Sequence, residues 1–400
     1  MTAAARRNST TSRNGALRRA DVQVIQRGPT AEQLLIGSVV VLCLLGLIMV
    51  YSASSVSSVQ DGGASWAKVF RQFIWMVAGL GGGYAASRIP LSTWKNRLAT
   101  PLIVLAVSLQ GFLAVGALVK KVSGSDLPFA ITRNGATRWV GYGPLQGQPS
   151  DLVKIALILW LAKYLDDRRR RIGAWDALYP ILVVTGVLAM FVMAGDDMGT
   201  TLLLGVIMLT MLTLAGTPLR QVGTIASVGG LLATVFLFLG EGFRLKRIAA
   251  FMHPEQSQAD AGYQLLQSQI GLASGGLFGS GPGNSRAKYG YLPEADTDFI
   301  LAVIGEELGL IGSLVVVGAF LVFMLAGVRI ALRCRSRFGR LVALGITTWV
   351  GVQALINIGV TVGALPTKGI TLPFVSYGGS SLLMCMLAVG VMASVAREAT

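Results

Sequence analysis

The stretch YLPEADTDFILAVIGEELGLIGSLVVVGAFLVFML, residues 291–325, sets three carboxylates, Glu294, Asp296 and Asp298, directly before a long apolar run. The run continues to about residue 330, interrupted only by Glu306, Glu307 and Arg329. A helix rises about 1.5 Å per residue, so about thirty such residues exceed the roughly twenty that cross a hydrocarbon core. The stretch is therefore a transmembrane helix with acid at its mouth. Comparable runs recur along the chain from residue 33, at about 33–53, 68–87, 100–118, 150–165, 177–195, 198–215, 221–240, 298–330, 341–363 and 378–396. Their length and continuity call for helices, which satisfy every backbone polar group within the segment. Composition agrees: of 400 residues 53% are hydrophobic and 13% charged, with a mean hydropathy of +0.64, too little polar surface to clothe a soluble globule. The expected fold class is an all-α integral membrane protein of about ten transmembrane helices.

Orientation follows from lysine and arginine, which resist translocation. Alternating sides from a cytoplasmic amino terminus keeps inside the six arginines before the first span, Arg168 to Arg171 after the fourth, and Arg333, Arg335, Arg337 and Arg340 after the eighth. Both termini are then cytoplasmic. The net charge of +15 reflects this bias and contact with anionic lipid; with no aromatics interleaved among basic clusters, no nucleic-acid partner is expected. Residues 1–31 are polar, Arg-rich and without an apolar core region, the pattern of a disordered cytoplasmic tail and not of a signal peptide. Residues 32–397 form one polytopic domain. Cys43, Cys334 and Cys385 are too scattered for a disulfide framework, and His253, the one histidine, excludes a multi-histidine zinc motif.

Two outer loops are long, residues 119–149 and 241–297, and long loops in compact chains usually carry function. The first holds NGATRWVGYGPLQGQPSD, where Asn-Gly and Gly-Pro turn signals surround Trp139, Tyr142 and Leu145, suiting the outer headgroup layer. In the second, Tyr263, Leu266, Ile270 and Ala273 recur at helical spacing, the pattern of a short interfacial helix. GGLFGSGPG follows, dense enough in glycine to pass close to another helix. No strand precedes it and no GK[ST] follows, so it is a re-entrant or wall-forming segment and not a phosphate loop.

Charged residues inside or at the mouths of spans are costly and so are functional candidates. Asp151 and Lys154, three apart, share a helix face, with a chemistry-free ion pair as the alternative. Glu306 and Glu307 stand equally for pairing with a buried Arg or Lys and for catalysis. Asp196 and Asp197 can cap the sixth span. Asp298 can likewise cap the eighth, yet three carboxylates exceed what a cap needs. Arg138, Arg244, Arg247 and Lys368 lie in the neighbouring outer loops, and an acid among cations at a headgroup layer suits a phosphorylated lipid.

RNGATRWV with QPSDLVK, the block GYQLLQSQIGLASGGLFGSGPGNSRAKYGYLPEADTDFILAVIGEELGLIG, and PTKGITLPFVSYGGSSLL resemble the signature blocks of the SEDS family (shape, elongation, division and sporulation). They stand in family order across nearly the whole chain, and the last is closer to the FtsW division branch than to the RodA elongation branch. The resemblance implies a peptidoglycan glycosyltransferase of the bacterial cytoplasmic membrane, at the division septum, that polymerises lipid II on the outer face. Its implied partners are a class B penicillin-binding protein and other division-complex membrane proteins. Asp298 matches the family's essential aspartate. Asp151 and Lys154 match its acid and lysine, and Arg138, Trp139, Asn134, Arg247, Lys368, Ser376 and Glu307 are further substrate-binding candidates. The chain departs from the family in having Asp296 where His is usual, Asp151 where Glu is usual, and GDDMGT where QPDLGT is usual. A carboxylate at 296 would raise the pKa of Asp298, and the shorter Asp151 puts that residue's role in question.

Joining lipid-linked sugars displaces a pyrophosphate, a good leaving group, so the chemistry asks for a base and for positive charge more than for an acid. Asp298 is the expected base, with Lys154, Arg138 and Lys368 or Arg247 around the pyrophosphate. The residues specify no cofactor, and a divalent cation, Mg or Mn, bridging carboxylates and phosphate is compatible with the inventory. Two rival functions are a lipid II flippase or transporter, which needs a polar track at mid-bilayer, and a non-catalytic division scaffold, which leaves Asp298 unexplained.

Overall fold

A computed structural model of the chain describes residues 29–60, 62–125, 127–133, 136–142, 145–239, 251–252, 261–367 and 369–398. Its helices are α1 (Ala31–Gln60), α2 (Ala67–Arg88), α3 (Leu91–Ser123), α4 (Pro149–Asp167), α5 (Trp175–Ala194), α6 (Met198–Leu214), α7 (Leu219–Leu239), α8 (Ala261–Gly275), α9 (Ile300–Arg333), α10 (Arg337–Thr361) and α11 (Gly379–Arg397). Every expected span falls on one of these helices, and α8 is the expected short helix of the second long loop. Seven helices, α1, α3, α5, α7, α9, α10 and α11, are long and apolar enough to cross a membrane, so the chain is a multi-pass membrane protein. α6 is 17 residues long, and α2 and α4 carry charges. Charges are tolerated in α4 because it is enclosed: Val153, Ala156, Leu157, Ile158, Leu159 and Leu161 are fully buried among its neighbours, away from lipid. α2 and α11 pack at backbone distance, since a Cβ on Gly83 would stand 2.7 Å from the Met386 carbonyl oxygen. Small residues of this kind let helices approach where no hydrophobic force draws them together.

Two features go beyond a bundle of straight helices. The first long loop contains an antiparallel three-stranded sheet, β1 (Ala130–Arg133), β2 (Ala136–Tyr142) and β3 (Leu145–Gly147), in the order β1-β2-β3. Ile131 pairs with Trp139 and Val140 with Gly147. The all-α expectation thus gains a small sheet, for which the two turn dipeptides and the intervening β-formers supply the local chemistry. The second feature is a break in α9 at Gly309, whose φ of 68° and ψ of −163° are not helical. The glycine-rich segment after α8 closes the gap. Ser280 N donates to Glu306 O at 2.9 Å, Gly281 N to Glu307 O at 3.1 Å, and Leu310 N to Gly276 O at 2.9 Å. Groups freed by the break are therefore satisfied by protein, as an apolar surrounding demands. GGLFGSGPG thus packs its backbone against α9, the close approach its glycines suggested.

The two ends of the bundle differ. At one, Lys95 reaches Asp166 at 2.6 Å and Asp167 at 2.8 Å, Arg337 donates to Ala215 O, and the Leu91 amide donates to Glu398. The arginine-rich turns 168–171 and 333–340 lie at this end. The start of α4, the α5–α6 turn, the start of α9, the loop after α10 and the sheet gather at the other.

Candidate active site

Asp298 lies two residues before α9. Phe299 occupies the helix N-cap position, and Asp298, one residue before it, is half-buried. Three successive carbonyls in this segment are held from outside. Asp296 O accepts from Tyr377 N at 2.9 Å, Thr297 O from Ser376 Oγ at 2.5 Å, and Asp298 O from Asn357 Nδ2 at 2.7 Å. The Asp298 carboxylate faces Gly369: a Cβ built there would stand 3.3 Å from Asp298 Oδ2 and 4.0 Å from Arg138 Nη1. The acid and the guanidinium thus share one small space, with a glycine as its wall.

Arg138 is held there by the α5–α6 turn. Its Nε donates to Gly195 O and its Nη2 to Asp196 O, both at 2.7 Å, which leaves Nη1 on the side of Gly369. Asp196 bends the turn, with φ of 61°. Asp197 caps α6, accepting from Thr200 N at 3.0 Å and Thr200 Oγ1 at 2.8 Å, and accepts from Gln148 Nε2 at 3.2 Å. Trp139 neighbours Arg138 in β2 and is half-buried.

Asp296, the unusual residue beside Asp298, has its own cation. Lys68 Nζ lies 2.8 Å from Asp296 Oδ2, donates to Ser57 Oγ at 3.3 Å, and sits 5.9 Å from the centre of the Tyr377 ring. The ammonium offsets the repulsion that a second carboxylate would otherwise exert on Asp298.

Asp151 and Lys154 form a sealed pair, their side chains 7% and 4% exposed, at 2.8 Å. Ser380 Oγ donates to Asp151 Oδ2 at 2.9 Å, Lys154 Nζ donates to Gln353 Oε1 at 3.3 Å, and the ammonium lies 5.0 Å from the centre of the Trp349 ring. The pair thus sits among α10 and α11 side chains, the enclosed ion pair that stood as its alternative reading. Ser376 is likewise a staple: its hydroxyl donates to Thr297 O and accepts from Leu372 N at 2.8 Å. Glu306 and Glu307 are buried anchors and not substrate contacts. Glu306 accepts from Ser285 Oγ at 2.5 Å and Arg286 N at 2.8 Å. Glu307 accepts from Ser52 Oγ at 2.6 Å and Gly283 N at 2.9 Å, with Lys288 Nζ 3.6 Å away. Together they pin residues 283–288 to α9; Glu307 has the buried lysine weighed above as its partner, whereas Glu306 is held by a hydroxyl and backbone amides.

Asn134, Arg244, Arg247, His253 and Lys368 lie outside the described residues, as do residues 1–28. Among the described residues no three His, Cys, Asp or Glu side chains come together as a metal site. Charge alone did not reveal Lys68's partner, Gln72, Gln353 or Asn357. Gln72 donates to Ser376 O at 3.1 Å and accepts from Gly378 N at 3.2 Å, bracing the SYGG turn. The available signal was two carboxamides four residues apart in the apolar run WVGVQALINIGV.

Residues 32–400 match the cell cycle protein family of FtsW, RodA and SpoVE. The chain is 39% identical over 363 residues to the probable peptidoglycan glycosyltransferase FtsW of Trichlorobacter lovleyi, covering 89% of this chain and 91% of that one. It is 35% identical to stage V sporulation protein E of Bacillus subtilis, covering 92% and 98%. Its fold is similar to the crystal structure of the rod shape determining protein RodA of Thermus thermophilus, with a TM-score of 0.65 at 25% identity over 91% of this chain and 95% of that one.

Proposed function

The chain belongs to the FtsW/RodA/SpoVE family of cell cycle proteins, and from that premise we propose that it polymerises lipid II into glycan strands at the outer membrane face during division. It is a peptidoglycan glycosyltransferase of the FtsW kind, in keeping with the name and 39% identity of its relative. The observation that carries the site assignment is the meeting of Asp298 and Arg138 around Gly369, at the end of the bundle opposite the arginine-rich turns. Arginine-rich turns mark the cytoplasmic side, so the site opens outward, where lipid-linked sugars present their headgroups.

In this reading the acceptor sugar hydroxyl attacks the anomeric carbon of the donor while an Asp298 carboxylate oxygen takes its proton. The bond from that carbon to the pyrophosphate oxygen breaks, and its electron pair leaves with the lipid pyrophosphate. Attack from the opposite face converts the α-linked donor into a β-linked product. Charge developing on the leaving group meets the Arg138 guanidinium, whose planar fork suits phosphate and whose position is fixed in advance by Gly195 O and Asp196 O. The Asp151–Lys154 pair supports the site through α10 without touching the sugar. A class B penicillin-binding protein that crosslinks the product is the proposed partner, and the septum the proposed location.

Purified Asp298→Asn protein, given lipid II in detergent, is expected to make glycan at only a small fraction of the parental rate, because shape is kept and the base is lost. Chains formed at the parental rate would refute the assignment. The parent must also polymerise in detergent, where there is no membrane to cross; transport or scaffolding alone would yield nothing.

A further inference from the structure

Gln353 and Asn357, one turn apart on α10, are 1% and 2% exposed and point the same way. Asn357 Nδ2 donates to two carbonyls from separate segments, Asp298 O at 2.7 Å and Ile370 O at 2.8 Å. Gln353 Nε2 donates to the next carbonyl, Thr371 O, at 2.9 Å, while its Oε1 accepts from Trp349 Nε1 at 2.8 Å and from Lys154 Nζ. One amide group thus ties the backbone of Asp298 to the strip 369–371, which contains the Gly369 wall. A second ties the same strip to the sealed Asp151–Lys154 pair. The line from Lys154 to Asp298 is continuous and runs through polar side chains that carry no charge.

We propose that Asn357 is a positioning residue for glycosyl transfer, holding the Asp298 main chain against the 369–371 strip so that its carboxylate meets Arg138 at a fixed separation. The inference rests on Asp298 being the base. The Asn357 Oδ1 is buried without a hydrogen-bond partner, a cost of about 1–3 kcal/mol; leucine, of similar size, would avoid that cost but leave the Asp298 and Ile370 carbonyls unpaired. The position accepts that cost while both amide hydrogens fix two carbonyls on either side of the site. A displacement of about 1 Å in a reacting group can lower a rate roughly 100-fold.

The test uses the purified full chain with its cognate transpeptidase and lipid II, comparing the parent, Asn357→Leu, Asp298→Asn and the double variant. Asn357→Leu should lower kcat about 30- to 100-fold while KM for lipid II stays within about 2-fold. In the Asp298→Asn background the same change should lower residual synthesis no further, because Asn357 acts through that carboxylate. A kcat within about 2-fold of the parent would overturn the proposal, and so would a rise in KM at unchanged kcat, the mark of substrate contact. Full activity of Asp298→Asn would instead remove the base assignment. An inactive Asp298→Asn beside a fully active Asn357→Leu would remove the clamp alone. If the leucine variant is not recovered as monodisperse protein, Asn357→Ser, which adds no apolar bulk, carries the same expected split in kcat and KM.

Discussion

Gly309→Ala tests whether the break in α9 is a built joint. Gly309 sits at φ 68° and ψ −163°, a region open in practice to glycine alone, and side chains placed there cost about 1–3 kcal/mol. The new methyl would also point into the glycine-rich segment, against Gly279 N and 2.5 Å from Leu277 O, about 1 Å inside ordinary contact. That segment must then retreat from α9. Its bonds Ser280 N to Glu306 O, Gly281 N to Glu307 O and Leu310 N to Gly276 O all span the joint, and each is worth about 1 kcal/mol. Strain and one or two lost bonds together give about 2–5 kcal/mol. Thermal unfolding in detergent, followed by tryptophan fluorescence, should show Tm lowered by about 5 °C or more. Gly318→Ala, in the same helix with nothing within 4 Å of the added carbon, is the control and should leave Tm unchanged or raise it, alanine being the better helix former. Glycan synthesis should fall with Gly309→Ala as well, because the displaced segment leads into residues 283–288 and then to Asp298. Equal Tm and equal synthesis for the two variants would refute the reasoning.

Lys154→Met leaves Asp151 as a buried unpaired carboxylate, so it should cost about 3–5 kcal/mol of stability and suppress synthesis; adding Asp151→Asn should restore Tm without restoring turnover, and recovery of both would make the pair purely structural. Lys68→Met uncovers the Asp296 charge two residues from Asp298 and should lower turnover about tenfold, with Asp296→Asn in the same chain recovering part of it; a double-variant cycle with no coupling would deny the link. Arg138→Lys cannot keep both backbone bonds and face Gly369, so kcat should fall by about 10-fold or more in the lipid II assay, and parental turnover would contradict the role. Burial pushes the Cys334 thiol up from its ordinary range, so less thiolate is present at neutral pH and labelling by a maleimide should be slow in the native protein, quickening only as pH rises; fast labelling at pH 7 would show an open site.

Hydrophobic run length and the placement of arginine settled the membrane class, the approximate limits of each span and the end at which chemistry is expected. These are local quantities, fixed by about twenty neighbouring residues at a time. The acid at 298 and the guanidinium at 138 were legible for the same reason, since a charge beside lipid stands out without knowledge of its partners. Where those charges pair was not legible. Lys154 had the spacing for a pair with Asp151, but its enclosure depends on Gln353, 199 positions away. Glu307 resembled a site acid until Ser52, 255 positions away, and the 283–288 loop occupied it. Asn357 carries no charge and lies in a span, where its spacing from Gln353 was the one local signal, and its bond to Asp298 O, 59 positions away, assigns it to the site. The sequence by itself determined which residues lie in the membrane and which charges stand at its edge, because transfer from water is decided residue by residue. Only the tertiary structure decided which of those charges remain at the site and which are spent as internal fasteners, because a hydrogen bond needs both partners within about 3 Å and chain order does not specify that distance.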